Sequence, residues 1–224
     1  MIPLKDDVPT RRFPIVTVTL IAINVIVYLA FEQGLWELGA LGNERVIEFG
    51  AIPIELTHPG TECAAVAGGS AIQCGPDSVV GGQAPTWITA VTSMFLHGSL
   101  LHLGGNMLFL WIFGNNIEDS MNRLLFVVFY VLGGLAALGL QVAMSPDSAV
   151  PTVGASGAIA AVLVLGLWFL LQLLPAFSAP LGDTGGGVAY FAHIGGFLFG
   201  LLVIKLIANN VQEDYDQAHR IPVY

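Results

Sequence analysis

A chain of 224 residues with 55% hydrophobic and only 10% charged residues is too poor in charge for a soluble domain, which carries roughly a quarter. Its formal net charge of −9 and lack of any Lys/Arg cluster argue against nucleic acid as a partner, because no phosphate footprint is present. The length allows a single domain, and the few charges leave long uncharged runs between them, the mark of a membrane-embedded chain.

A helix needs about 20 mostly apolar residues to cross the hydrocarbon core, and backbone groups in lipid must pair within the segment, so the spans are helices rather than strands. Five segments qualify: 13–31, 87–113, 124–144, 153–174 and 188–208. The fold class expected is an all-α polytopic membrane bundle over 13–208, with a polar tail at 209–224. The first run is too long for a signal-peptide core and lacks a small-residue cleavage site after it, so it reads as a retained anchor. Lys5, Arg11 and Arg12 put segment 1–12 in the cytoplasm by the positive-inside rule. Segment 32–86 then lies outside; it is rich in Gly, Pro and acidic residues, with Arg45 as its one basic residue. Cys63 and Cys74 meet an oxidising compartment there, so a loop-closing disulfide is expected, with two unpaired thiols as the alternative. Arg123 falls in the inner turn between the second and third spans. Five spans leave Lys205 and Arg220 outside, whereas the same rule prefers them inside, which requires an even number.

Polar groups inside spans are costly and are functional candidates by default. On the second span His102 and Asn106 are four apart, so they share a helical face and can aim donors at one point. His97, five before His102, lies near the same side and closer to the outer end. Such groups also serve as interhelical glue. Gly154-Ala155-Ser156-Gly157 opens the fourth span, where small neighbours leave the Ser156 hydroxyl approachable and free helical N–H groups lie beside it. By itself this is equally a packing face or a cap. The last span carries Ala192-His193 followed by Gly195, Gly196 and Gly200. Gly196 and Gly200 form a small-x-x-x-small face for close helix contact. If that helix packs on the one carrying Ser156, His193 can accept the serine proton.

The ordered set resembles the rhomboid family of intramembrane serine proteases, over nearly the whole chain from first span to last. His97, His102 and Asn106 match its His-x4-His-x3-Asn pattern, Gly154 and Ser156 its Gly-x-Ser-Gly, and His193, Gly196 and Gly200 its Ala-His-x2-Gly-x3-Gly. The resemblance implies Ser156 as nucleophile and His193 as general base, a dyad with no acid orienting the imidazole. It implies His102, Asn106 and the Ser156 N–H as oxyanion donors. His97, Gly154, Gly157, Gly196 and Gly200 are then structural near the site, and Glu118 is structural at the inner end of the second span. Substrates would be transmembrane helices with small, helix-weakening residues near the outer end, with the lipid bilayer the other partner. No cofactor or metal is implied, and the plasma membrane of a prokaryote is the expected location. A metal centre on His97, His102 and His193 is disfavoured, since no Asp or Glu completes the ligand set. His58 and His219 read as surface residues of polar loops.

Six spans are usual in this family, and the shortage falls between Ser156 and His193, 37 residues apart. One helix over 156–174 rises roughly 27 Å, which sets loop 175–187 in the cytoplasm and His193 at the membrane face opposite Ser156. Three readings follow. An internal span is missing from the chain, which the basic tail residues favour; or the segment after Ser156 is broken or re-entrant; or the chain is an inactive relative that binds membrane helices.

Overall fold

A computed structural model of the chain describes residues 12–32, 42–65, 72–76, 84–162 and 191–203. Lys5, Arg11, segment 163–190 and the tail with Lys205, His219 and Arg220 lie outside the described residues, and the span count depends on them.

Helix α1 (Ile15–Ile26) continues through a π-helical end, Val27–Glu32. Pro14 precedes its first turn and gives it no side-chain cap. The cap comes instead from Glu118, whose Oε1 accepts the Val16 N–H at 3.0 Å and whose Oε2 accepts the Thr17 N–H at 2.8 Å and the Thr17 hydroxyl at 2.9 Å. A carboxylate at a helix N-terminus satisfies orphan donors and complements the dipole. Arg123, at 4.0 Å from Oε1, stands on its outer side.

The segment after α1, expected as a plain loop, is built. It holds α2 (Gly42–Phe49), the short α3 (Pro53–Thr57) and an antiparallel hairpin of β1 (Thr61–Ala65) and β2 (Ile72–Pro76). The hairpin is a small addition to a mostly helical chain, and the expected helical membrane bundle stands. Cys63 and Cys74 stand directly opposite in the register and are disulfide-bonded. Around them Ile47 and Ile52 are buried, with Ile54, Ala65 and Ile72 packed alongside. So small a core is marginal alone, and the cross-link removes freedom from its open form, worth about 2–4 kcal/mol.

Glu55, 5% exposed, points into this small core and its Oε1 accepts the Cys63 N–H at 2.7 Å. Burial pushes its carboxyl up to about 7, offset in part by the Cys63 N–H and reinforced by nearby Glu62. The folded form thus keeps a proton that the open form loses near 4.5. The stabilisation is complete below that pH and is lost as pH rises through about 7, an effect of at most about 3 kcal/mol. Amide protection over 42–65, taken relative to the intrinsic exchange rate at each pH, should therefore rise on acidification across this window, and Glu55→Gln should flatten the slope. An unchanged slope in the variant would assign the pH effect to another group.

The second predicted span does not form one helix. It is α4 (Thr86–Thr92) with a 3-10 turn, Ser93–Phe95, and then α5 (Leu100–Phe109), which runs through a π turn, Leu110–Gly114, into α6 (Asn115–Ser120). The two parts meet at 78°. Leu96 and Ser99 are extended, and the Ser99 side chain accepts the His102 N–H at 3.1 Å, so Ser99 starts a new helix rather than continuing the old one. Helix α7 (Arg123–Met144) is capped by Asn122, whose Oδ1 accepts the Leu125 N–H at 2.8 Å. Its buried side is Phe126, Phe129, Tyr130, Gly133, Gly134, Ala137 and Leu138, a helical stripe. Helix α8 (Ser156–Val162) and the apolar helix α9 (Phe191–Val203) complete the described chain.

Ile15–Glu32 and Arg123–Met144 are long and apolar enough to cross a membrane, as is the bent pair taken together. Ile15, Ile26, Leu124 and Leu132 face outward on these helices, as lipid-facing residues do. The chain is an integral membrane protein, and its core of Leu20, Leu103, Leu110, Phe126, Phe129 and Ile159 lies between the helices.

Candidate active site

Ser156 opens α8, and its Oγ lies 2.8 Å from His193 Nε2 on α9. The expectation that a 37-residue separation leaves these groups at opposite membrane faces is therefore corrected. The expectation took one straight helix from Ser156 onward, whereas α9 is docked directly against α8 by backbone contact. A Cβ at Gly196 would strike the Gly157 carbonyl oxygen and lie 3.2 Å from the Ala160 Cβ. On the other side of α9, a Cβ at Gly195 would lie 2.8 Å from the Leu140 Cβ and 3.0 Å from the Ala136 oxygen. Two adjacent glycines thus let α9 slot between α7 and α8. Gly195 was missed because the four-residue spacing points to Gly196 and Gly200, and the buried Gly200 is only part of the small face. Phe129 and Phe199 close the α7–α9 contact with ring centroids 5.9 Å apart.

The segment before Ser156 is held by main-chain bonds from two directions. The Thr152 N–H donates to the Ala51 carbonyl and the Gly154 N–H to the Ser93 carbonyl, each at 2.8 Å. The Ile54 N–H donates to Ser148 at 3.1 Å and the Thr57 hydroxyl to Pro146 at 2.8 Å, so the hairpin region is fastened to the loop that leads to the serine. His58 is half-exposed beside Asp147 at 3.6 Å.

His102 and Asn106 do converge on one point, as their spacing predicts. Gly154 has φ +114°, and a Cβ there would meet His102 Cε1 at 2.7 Å, His102 Nε2 at 2.8 Å and Asn106 Nδ2 at 3.5 Å. The imidazole and the amide therefore lie over the Gly154 backbone, two residues before Ser156. Asn106 is buried, and its Nδ2 has no hydrogen-bond partner among the described residues, a donor left for another group. His97 is not on the helix with them. It sits in the break, 1% exposed, with its ring edge-on to the His102 ring at 5.2 Å. Glu32 was also missed: read as the first loop residue, it is the buried end of the first span, and both its oxygens accept the His97 N–H at 3.0 Å. A carboxyl group adjoining a spanning run is itself the signal that could have found it.

A bundle of spanning helices with Ser, His and Asn side chains gathered between them defines a polytopic membrane protein with an interior polar site. Residues 84–171, which include His97, His102, Asn106 and Ser156, match the model of the Rhomboid domain, and the chain is similar to proteins named as rhomboid-like. Rhomboid-like protein 11, chloroplastic, of Arabidopsis thaliana is 29% identical over 160 residues, covering 59% of this chain and 57% of that relative. The Presenilin-associated rhomboid-like protein, mitochondrial, of Mus musculus is 31% identical over 135 residues, 50% of this chain and 36% of the relative. The Presenilin-associated rhomboid-like protein A, mitochondrial, of Danio rerio is 31% identical over 137 residues, 51% and 36%. The chain thus spans 57% of the first relative's length and 36% of the others'.

Proposed function

We propose that the chain is an intramembrane serine endopeptidase that cleaves transmembrane helices near the outer membrane face. The observation that carries the reading is the 2.8 Å approach of His193 Nε2 to Ser156 Oγ, together with the buried Asn106 amide, whose Nδ2 has no partner among the described residues. As Oγ attacks the scissile carbonyl carbon, Nε2 takes its proton, and the imidazolium then protonates the leaving amine. Water then attacks the acyl carbon while His193 takes its proton, and the imidazolium returns that proton to Ser156 Oγ as the ester C–O bond breaks and the acid product leaves. Charge on the carbonyl oxygen falls to Asn106 Nδ2, the His102 ring and the Ser156 N–H, and each such donor is worth about 10²–10³ in rate.

We take the substrate to be a membrane helix with small, helix-weakening residues near its outer end, since an extended backbone is what the serine can attack. We further propose a cytoplasmic N-terminus and residence in a prokaryotic plasma membrane. Support comes from Lys5, Arg11 and Arg12 before the first span and from the Cys63–Cys74 disulfide, which suits an oxidising outer side.

Fluorophosphonate labelling of the full chain in detergent tests the activity. The wild type should label and Ser156→Ala should not. A folded wild type that fails to label would overturn the hydrolase reading in favour of an inactive relative that binds membrane helices.

A further inference from the structure

The helix that starts at Thr86 ends at Phe95. Had it continued, the His97 N–H would have bonded the carbonyl four residues back, that of Ser93. Each of those two groups instead has a distant partner. The Ser93 carbonyl accepts the Gly154 N–H at 2.8 Å. The His97 N–H is held by both oxygens of Glu32, at 3.0 Å each. Glu32 is 1% exposed at the end of a spanning segment with no other acidic residue, and a carboxyl group buried there is costly unless it is used.

From this exchange of partners we infer that Glu32 is a positioning residue for the site: by capturing the His97 N–H it keeps the Ser93 carbonyl open for Gly154. Two consequences meet at the serine. The Gly154 N–H is fastened two residues before Ser156, which sets where the hydroxyl stands. The His97 ring is held in the break, against the edge of the His102 ring, so His102 stays over Gly154. Without the carboxyl group, the His97 N–H competes for the Ser93 carbonyl, and a helical turn re-forms at the expense of the Gly154 bond. Ser99, as the cap of α5, lets the chain resume its helix beyond the break.

The catalytic consequence rests on the hydrolase reading, whereas the exchange of partners does not, and the experiment separates them. Glu32→Leu removes both acceptors at similar volume, and Glu32→Gln keeps one. The control is Glu118→Gln, which weakens the opposite end of α1 away from the serine. In the folded, detergent-solubilised chain, Glu32→Leu should speed exchange of the Gly154 amide at least tenfold, and Glu32→Gln should restore most of the protection. Fluorophosphonate inactivation of Glu32→Leu should lose at least tenfold in maximal rate with little change in half-saturating concentration. Glu118→Gln should lose thermal stability while its folded fraction reacts at the wild-type rate. Gly154 exchange in Glu32→Leu equal to that of the wild type would overturn the inference, whatever the activity. So would normal exchange in Glu118→Gln paired with a rate loss equal to that of Glu32→Leu. A wild type that does not label would instead remove the hydrolase reading, leaving the exchange result to decide the role of Glu32.

Discussion

Replacing His193 with alanine should slow acyl-enzyme formation on the order of 10⁴–10⁶-fold. The Ser156→Ala/His193→Ala double variant should be no slower than either single change. A serine hydroxyl is a weak nucleophile at neutral pH, and its activation depends on a base within hydrogen-bond reach. In the proposed dyad that base is His193, whose Nε2 stands 2.8 Å from the hydroxyl. Once either member is gone the other has nothing to act on, so the losses should not add. The fold should survive, because α9 is docked by Gly195 against α7 and by Gly196 against α8, not by the imidazole. Single-turnover cleavage of a transmembrane peptide, with thermal unfolding of each variant alongside, measures both. A His193→Ala protein within tenfold of the wild type would show that another group takes the serine proton. Additive losses would show that the two residues do not act as a unit.

Gly154→Ala should cost about 10²–10³ in the rate of the chemical step, with little effect on substrate binding. Two physical terms combine at this position. Its φ of +114° lies where L side chains rarely sit, costing about 1–3 kcal/mol of fold stability. The added methyl would also occupy the space of the His102 ring, at 2.7 Å from Cε1 and 2.8 Å from Nε2. Either the ring or the segment 152–156 has to move, and both movements separate His102 and Asn106 from Ser156. Gly104→Ala, on the same helix as His102 and with no described residue within 4 Å of the added methyl, is the matched control. It should change neither rate nor stability by much, because alanine is favoured in a helix. Equal rates for Gly154→Ala and wild type would sink the assignment of His102 and Asn106 to the oxyanion.

Much of the membrane core was legible from residue patterns alone. Segments 13–31 and 124–144 correspond to Ile15–Glu32 and Arg123–Met144, because apolar length is a local property that the bilayer enforces on each helix separately. The pairing of Cys63 with Cys74 followed from compartment and proximity in sequence. The two short helices and the hairpin around them were not legible, since Gly- and Pro-rich stretches read as loop, and only packing of Ile47 and Ile52 on the disulfide orders them. Segment 87–113 misled for a different reason. Its residues are apolar enough for one helix, and Gly98 and Ser99 interrupt it weakly. What breaks it is a carboxyl group 65 residues away in the chain and an amide beyond α7.

By itself the sequence determined a helical membrane protein and nominated Ser156, His193, His102 and Asn106 as the groups of the proposed site. Hydropathy and short spacings carry that information within single elements. Only the tertiary structure decided that the four groups lie near one another. Glu32 and Gly154 each take one partner of a helical bond that is never made, and two adjacent glycines bring α9 against both of its neighbours. The approach of one element to another depends on which unpaired backbone groups and small faces meet, and spacing along the chain does not encode that. Counting residues between Ser156 and His193 predicts separation; the glycine contacts and the 2.8 Å distance replace it with contact.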